Sequence, residues 1–183
     1  DIYCFISVSI DVDEPYQPIS VIGVDRNTNG HIAVCGNLST GKVLKLWKSA
    51  LHTANKYKHI RKQMQKQGKY KVVKQIKQKQ SKISKDLNHK VSRAIVDFAY
   101  KNKWCLVLED LKWIRKTAKS KKSFRYALNN WSFYQLQMFI EYKAKLLWVP
   151  LNYIDPAYTS KCCSRCGEIN NPQGKVFKCS KCG

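Results

Sequence analysis

Apolar and polar positions first alternate with the two-residue period of strands and later switch to the period of helices. Residues 3–10, Tyr-Cys-Phe-Ile-Ser-Val-Ser-Ile, alternate as a strand, and an acidic, proline-containing link over 11–18 separates them from the rest of the chain. Three strand candidates then stand close together, at 20–25, 31–36 and 43–47, joined by Asn27-Thr28-Asn29-Gly30 and Ser39-Thr40-Gly41. Turns this short predict an antiparallel meander. Beyond it Ile76, Ile83, Leu87, Val91, Ile95 and Phe98 recur at helical spacing, and a break at Gly68 predicts two helices, 56–67 and 70–101. The second delivers the chain to a strand at 104–109. A helix over 131–147 comes next, with Phe133, Leu136, Ile140, Ala144 and Leu147 on one face and Ser132 as its cap, and then a strand over 149–154 before Pro156.

The resulting order is βββαβαβ. A meander followed by helix-connected strands is the order of the ribonuclease H-like fold, an α/β architecture whose mixed sheet has helices against its faces. With 183 residues, 44% of them hydrophobic, the chain has enough material for one real core plus a small appended module. The expected divisions are 1–18, the end of a preceding β domain plus a linker; 19–158, the α/β domain; and 159–183, a cysteine-rich module.

Charge narrows the class of partner. Lys and Arg total 34 against 12 acidic residues, a net +22 that folding does not require and that repels itself without a polyanion. Thirteen of the basic residues lie between Lys56 and Lys90, where the acidic complement is Asp86 alone. Residues 112–125 hold seven more and no acid, which predicts a basic loop that is disordered without nucleic acid. Lys56, Lys58, Arg61, Lys62, Lys112, Arg115, Lys116, Lys119, Lys121, Lys122 and Arg125 are the candidate phosphate contacts. Trp131, Phe133 and Tyr134 have rings that could stack on bases, but their helix assigns them to the core. No membrane partner is expected, because the longest apolar segment, 146–151, is far too short to span a bilayer. Residues 1–13 do not read as a secretory signal, which points to the cytosol.

Eight cysteines divide unevenly. Cys4, Cys35 and Cys105 stand in apolar strand-like runs and read as core residues, while five cluster at the end. Cys163-Ser-Arg-Cys166 and Cys179-Ser-Lys-Cys182 are two C-x-x-C pairs, each followed by Gly. Such knuckles aim four thiolates at one metal and form a closed tetrahedral shell suited to structural zinc. Two disulfides would need an oxidising compartment. Cys162, beside Cys163, is a competing ligand that would break the C-x-x-C spacing.

Two strand candidates end on an acid: Val21-Ile22-Gly23-Val24-Asp25 and Leu106-Val107-Leu108-Glu109. In the expected sheet they lie side by side, so the two carboxylates meet at one end. Carboxylates with substrate phosphate hold magnesium, and paired metals cut phosphodiesters by activating water and stabilising the leaving oxygen. An acid ending a strand is otherwise a turn residue or cap, the default for Asp155, and Asp110 faces away from Glu109 by strand alternation.

These motifs together resemble the OrfB-type, or TnpB, proteins of bacterial and archaeal transposons, relatives of the miniature type V CRISPR nucleases. The resemblance rests on Gly23-Val24-Asp25-Arg26-Asn27, Leu108-Glu109-Asp110-Leu111, Asn130-Trp131-Ser132-Phe133-Tyr134-Gln135-Leu136, and Asp155-Pro156-Ala157-Tyr158-Thr159-Ser160 leading into the first knuckle. It implies a RuvC-like nuclease that a transposon-derived RNA guides to DNA and that needs magnesium, with Asp25 and Glu109 as the first two catalytic acids and the zinc ribbon before the third. The family takes that third acid from an Asp-x-Asn segment after the second knuckle, which residues 1–183 do not contain. The chain is therefore expected to be a carboxy-terminal portion or a decayed copy, with weakened metal binding and rate. The competing expectation is a non-catalytic, zinc-containing nucleic-acid-binding regulator of transposition.

Overall fold

The computed structural model describes residues 4–9, 14–27, 30–48, 50–111, 133–171 and 177–183. The strands are β1 (Ser20–Arg26), β2 (Ala33–Gly36), β3 (Val43–Leu46), β4 (Trp104–Glu109) and β5 (Leu151–Ile154). The helices are α1 (Ala50–Lys66), α2 (Tyr70–Lys101) and α3 (Phe133–Leu146). They follow the expected order, in one mixed sheet of strand order β3-β2-β1-β4-β5. β1, β2 and β3 pair antiparallel as the short turns require, and β4 and β5 join parallel to β1 and to each other.

Boundaries move where backbone chemistry overrides apolar pattern. Trp47 takes a positive φ of 44° and ends β3 one residue early. Pro150 has no N–H to give a ladder, so β5 starts at Leu151, although Val149 is buried. Gly68, at φ 67°, closes α1: the Lys69 amide returns to the Met64 carbonyl at 3.0 Å, satisfying an orphan acceptor of the last turn.

Period two divides the sheet into two unlike faces. Ile22, Val24, Leu106 and Leu108 turn to one side and meet Val91, Ile95 and Ala99 of α2 and Leu136, Ile140 and Ala144 of α3. A second set of bonds locks the helices together. Lys143 Nζ, almost fully buried, donates to the His89 carbonyl at 2.6 Å and to Ser92 Oγ at 2.7 Å, and Asn88 Nδ2 donates to Gln135 Oε1 at 3.0 Å. Each crosses from α2 to α3.

The described helices all lie on this side, which corrects the expectation of helices against both faces. α1 has too narrow a stripe to reach the sheet: Tyr57, Ile60 and Met64 are half-buried, and it packs along α2 instead. At 1.5 Å per residue α2 is about 48 Å long. Its buried residues run from Gln80 to Ala99, so its first part extends with α1 as an arm.

Three further expectations fail for lack of a partner or a face. Residues 4–9 pair with nothing described, and Phe5, Ile6 and Val8 are exposed; alternation alone does not make a strand without a neighbour to bond. Cys4, on that run, is likewise exposed rather than core, while Cys35 and Cys105 are buried as expected. Tyr134 is 62% exposed: two positions before Leu136 it stands about 200° around the helix from the buried stripe. Trp131 and Ser132 lie outside the described residues, as does the whole basic stretch 112–125.

The two faces predict unequal costs for neighbouring truncations. Ile22→Ala should lose about 2–5 kcal/mol in denaturant unfolding, whereas Val21→Ala, 52% exposed on the open face, should lose less than about 1 kcal/mol. Equal losses would contradict the face assignment.

Candidate functional site

Inward Ile22 and Val24 imply outward Val21, Gly23 and Asp25. The parallel register of β1 and β4 runs from Ser20 beside Trp104 to Val24 beside Leu108, so one step further Asp25 and Glu109 stand level. Adjacent strands are about 4.8 Å apart, which brings both carboxylates to one end of one face, as expected. That end is the carboxyl end of both strands, where the chain leaves β1 toward β2 and β4 toward β5. In open α/β sheets a crevice forms at such a switch point. Here it is a groove of about 780 Å³ over the uncovered face, floored by Val21, Gly23, Gly36, Val107 and Ile154, with both acids in its wall.

Each carboxylate is held by one oxygen. Asn27 Nδ2 donates to Asp25 Oδ2 at 2.6 Å, and Thr159 Oγ donates to Glu109 Oε1 at 2.6 Å. The chemistry of the donor set suits a divalent cation: anionic oxygens, part-exposed, with phosphate-sized space beside them.

Beneath the pair lies a cation. Arg26 falls in phase with Ile22 and Val24 and is buried, its guanidinium donating to the Glu109 carbonyl and, at 3.2 Å, to Gln137 Oε1 of α3. Burial lowers its pKa from the ordinary arginine value, while Tyr153, Glu109, Asp110 and Asp25 pull the other way. Gln137 passes the connection to Glu141 at 3.0 Å, and Glu141 accepts from the Tyr153 hydroxyl of β5. The ends of β1, β4, β5 and α3 are thus tied together behind the acids.

The cysteine cluster forms as its spacing requires. The Sγ atoms of Cys163, Cys166, Cys179 and Cys182 all lie within 4.8 Å of one another. Cys163 stands 3.6 Å from Cys182 and Cys166 3.5 Å from Cys179. Those gaps are far beyond an S–S bond of about 2.05 Å and close to the edge, about 3.8 Å, of a tetrahedron with metal–sulfur bonds of about 2.3 Å. Gly167 and Gly183 take φ of 75° and 87°, and their amides close each knuckle onto Cys163 and Cys179 carbonyls. The sulfur of Cys162 turns to the Gly167 carbonyl at 3.4 Å, outside the cluster. Backbone N–H groups of Cys182 and Lys181 pull Cys179 down to about 6. Its three thiol neighbours push Cys182 up to about 12.

Known proteins resemble this chain. Residues 133–183 match the family described as Cas12f1-like, TNB domain. A TnpB-like protein of Methanocaldococcus jannaschii is 41% identical over 99 residues, 53% of this chain and 36% of its own length. The Cas12f1 CRISPR-associated endodeoxyribonuclease of Sulfoacidibacillus thermotolerans is 43% identical over 100 residues, 52% of this chain and 22% of its own. A TnpB-like protein of Aquifex aeolicus is 27% identical over 91% of this chain and 63% of its own. These likenesses support a TnpB (OrfB) family member related to the miniature type V effectors. A cryo-EM structure of a Cas12f1–sgRNA–target DNA complex superposes with a TM-score of 0.68 at 26% identity, over 89% of this chain and 42% of that one. A CRISPR-Cas12f ternary complex superposes with a TM-score of 0.75 over 96% of this chain and 38% of that one, at 24% identity, a likeness of fold. The chain therefore spans well under two thirds of the first relatives' length.

The expected contacts Lys56, Lys58 and Lys62 are exposed on α1, on the arm away from the acids. Arg61 is half-buried and donates to Gln80 of α2, so it also joins the two helices. Lys112, Arg115, Lys116, Lys119, Lys121, Lys122 and Arg125 lie outside the described residues. Among the described residues no helix is long and apolar enough to cross a membrane. Sequence pattern assigns no role to Arg26 or Thr159. Arg26 carries a signal, a charge at an inward position of a strand; Thr159 carries none, because its partner is fifty residues away.

Cobalt(II), whose thiolate absorption reports sulfur ligation, separates the cysteines. Cys163→Ser should abolish the tetrahedral cobalt spectrum and Cys162→Ser should keep it, and uptake should weaken as pH falls, because protons compete for the sulfurs. Loss of the spectrum in Cys162→Ser would contradict the assignment.

Proposed function

We propose that this chain carries the nuclease site of an RNA-guided DNA endonuclease of the TnpB kind, with Asp25 and Glu109 as magnesium ligands and zinc in the four-sulfur cluster. The observation that carries the reading is the level pairing of Asp25 and Glu109 at the carboxyl ends of adjacent parallel strands, above an open groove. The strand order β3-β2-β1-β4-β5, a meander extended by two parallel strands, supports a ribonuclease H-like, RuvC-like body. The sulfur spacing and the knuckle glycines support a structural zinc ribbon.

Magnesium bound at the acid pair supplies an activated water and stabilises the leaving oxygen of a phosphodiester. The protein's part is placement. Asn27 and Thr159 fix one oxygen of each acid, and buried Arg26 offsets the charge that two carboxylates place side by side. The groove admits a strand of polynucleotide along β1 and β4, and the basic arm of α1 and α2 neutralises phosphates further along it. That a compared Cas12f1 structure is a complex with sgRNA and target DNA supports nucleic acids as partners, here a transposon-derived guide and its DNA target.

Asp25→Asn in the whole protein should abolish magnesium-dependent cutting of guide-matched DNA while its salt-sensitive binding of nucleic acid stays within about twofold. Cutting at the unaltered rate would overturn the site. Binding with no magnesium-dependent cutting by the unaltered protein would favour the regulator reading.

A further inference from the structure

Thr159 belongs to the turn that leads from β5 into the first knuckle, and hydrogen bonds fix that turn from end to end. Asp155 Oδ1 accepts the Ala157 amide at 2.8 Å and opens it. Tyr158 takes φ 63°, a conformation rare for a side chain with a Cβ, and its carbonyl accepts the amides of both Lys161 and Cys162, at 2.8 and 2.9 Å. The Lys161 carbonyl accepts from Asn170, across the knuckle, at 2.8 Å, and the Cys163 amide donates to Glu168 at 2.9 Å. Four residues after Thr159, the Cys163 sulfur enters the four-sulfur cluster.

A hydroxyl has one proton to give. Thr159 Oγ lies 2.6 Å from Glu109 Oε1 and 3.1 Å from the Pro156 carbonyl, so the proton goes to the nearer, charged oxygen. Residues that hydrogen-bond a metal's ligands fix their orientation and set affinity. An unusual φ persists only when its surroundings over-determine it, and here the surroundings are the knuckle.

We propose that Thr159 is a positioning residue for Glu109 and that the metal of the sulfur cluster holds it in place, so that filling the ribbon tightens divalent cation binding at the acid pair. The inference rests on the reading that Asp25 and Glu109 hold such a cation. Without metal the knuckle is no longer cross-linked, Tyr158 relaxes, and the hydroxyl leaves Glu109, whose side chain then samples orientations that do not converge with Asp25. By linkage the dependence is reciprocal: cation at the acids tightens metal in the ribbon by the same factor.

Manganese(II), read by its free-ion electron paramagnetic resonance signal, measures the acid site directly in the 183-residue chain. Zinc-loaded chain should bind manganese about tenfold more tightly than zinc-stripped chain. Thr159→Val should bind as weakly as the stripped chain whether or not zinc is present, with unchanged far-ultraviolet circular dichroism, and Thr159→Ser should restore both affinity and zinc dependence. A Thr159→Val chain that keeps full affinity and full zinc dependence would overturn the coupling. If Asp25→Asn and Glu109→Gln leave manganese binding unchanged, the acid-site reading itself falls, whatever Thr159 does.

Discussion

Five parallel register pairs between β1 and β4, from Ser20 with Trp104 to Val24 with Leu108, bring distant parts of the chain together, and the site depends on them. The two strands are separated by the meander and by both helices of the arm, so the pairing is held by what lies under it: Ile22 and Val24 on one strand and Leu106 and Leu108 on the other, packed against α2 and α3. A slip of β1 by one residue would turn Ile22 and Val24 into the groove and send Asp25 into the core, so burial of the apolar set fixes where the acid points. The same alternation that exposes Asp25 buries Arg26. One strand thus presents an anion to the groove and a cation beneath it, and the cation ties the end of β4 to α3.

The elements whose signals are local are legible in the sequence. The apolar stripe predicts the second helix at 70–101 and the strand after it at 104–109, and both bounds hold because a long stripe and its flanking turns leave little freedom. The four-cysteine cluster is legible for the same reason: a C-x-x-C pair followed by Gly carries its geometry within five residues. The meeting of Asp25 and Glu109 is legible only through the fold, as two acid-ended strands that the element order makes neighbours. Sequence does not yield what depends on partners. Residues 3–10 have the alternation of a strand, but a ladder needs a second chain segment beside it. Helical context alone assigns Tyr134 to the core, although its angular position faces it outward. The bond from Thr159 to Glu109 exists because the turn after β5 folds back over the end of β4, which no spacing encodes.

Charge and chemistry are separated along the molecule. Thirteen basic residues lie between Lys56 and Lys90, mostly on α1 and the part of α2 that extends beyond the sheet, while the acids sit at the opposite kind of surface, a shallow apolar groove. A polyanion drawn to the arm by its field would be bound without contest from the acids. Separation also spares the acid pair from direct lysine partners that would compete with a metal ion for the carboxylate oxygens: among the described residues, the side chains bonded to Asp25 and Glu109 are neutral, Asn27 and Thr159.

The central claim is that Asp25 and Glu109 together form a divalent cation site, and diffraction tests it most directly. Crystals soaked in manganese and recorded at the manganese absorption edge should give an anomalous peak bridging the two carboxylates, absent from Asp25→Asn crystals under the same soak. Manganese bound elsewhere with no density between the acids, or a peak that survives Asp25→Asn, would contradict the account.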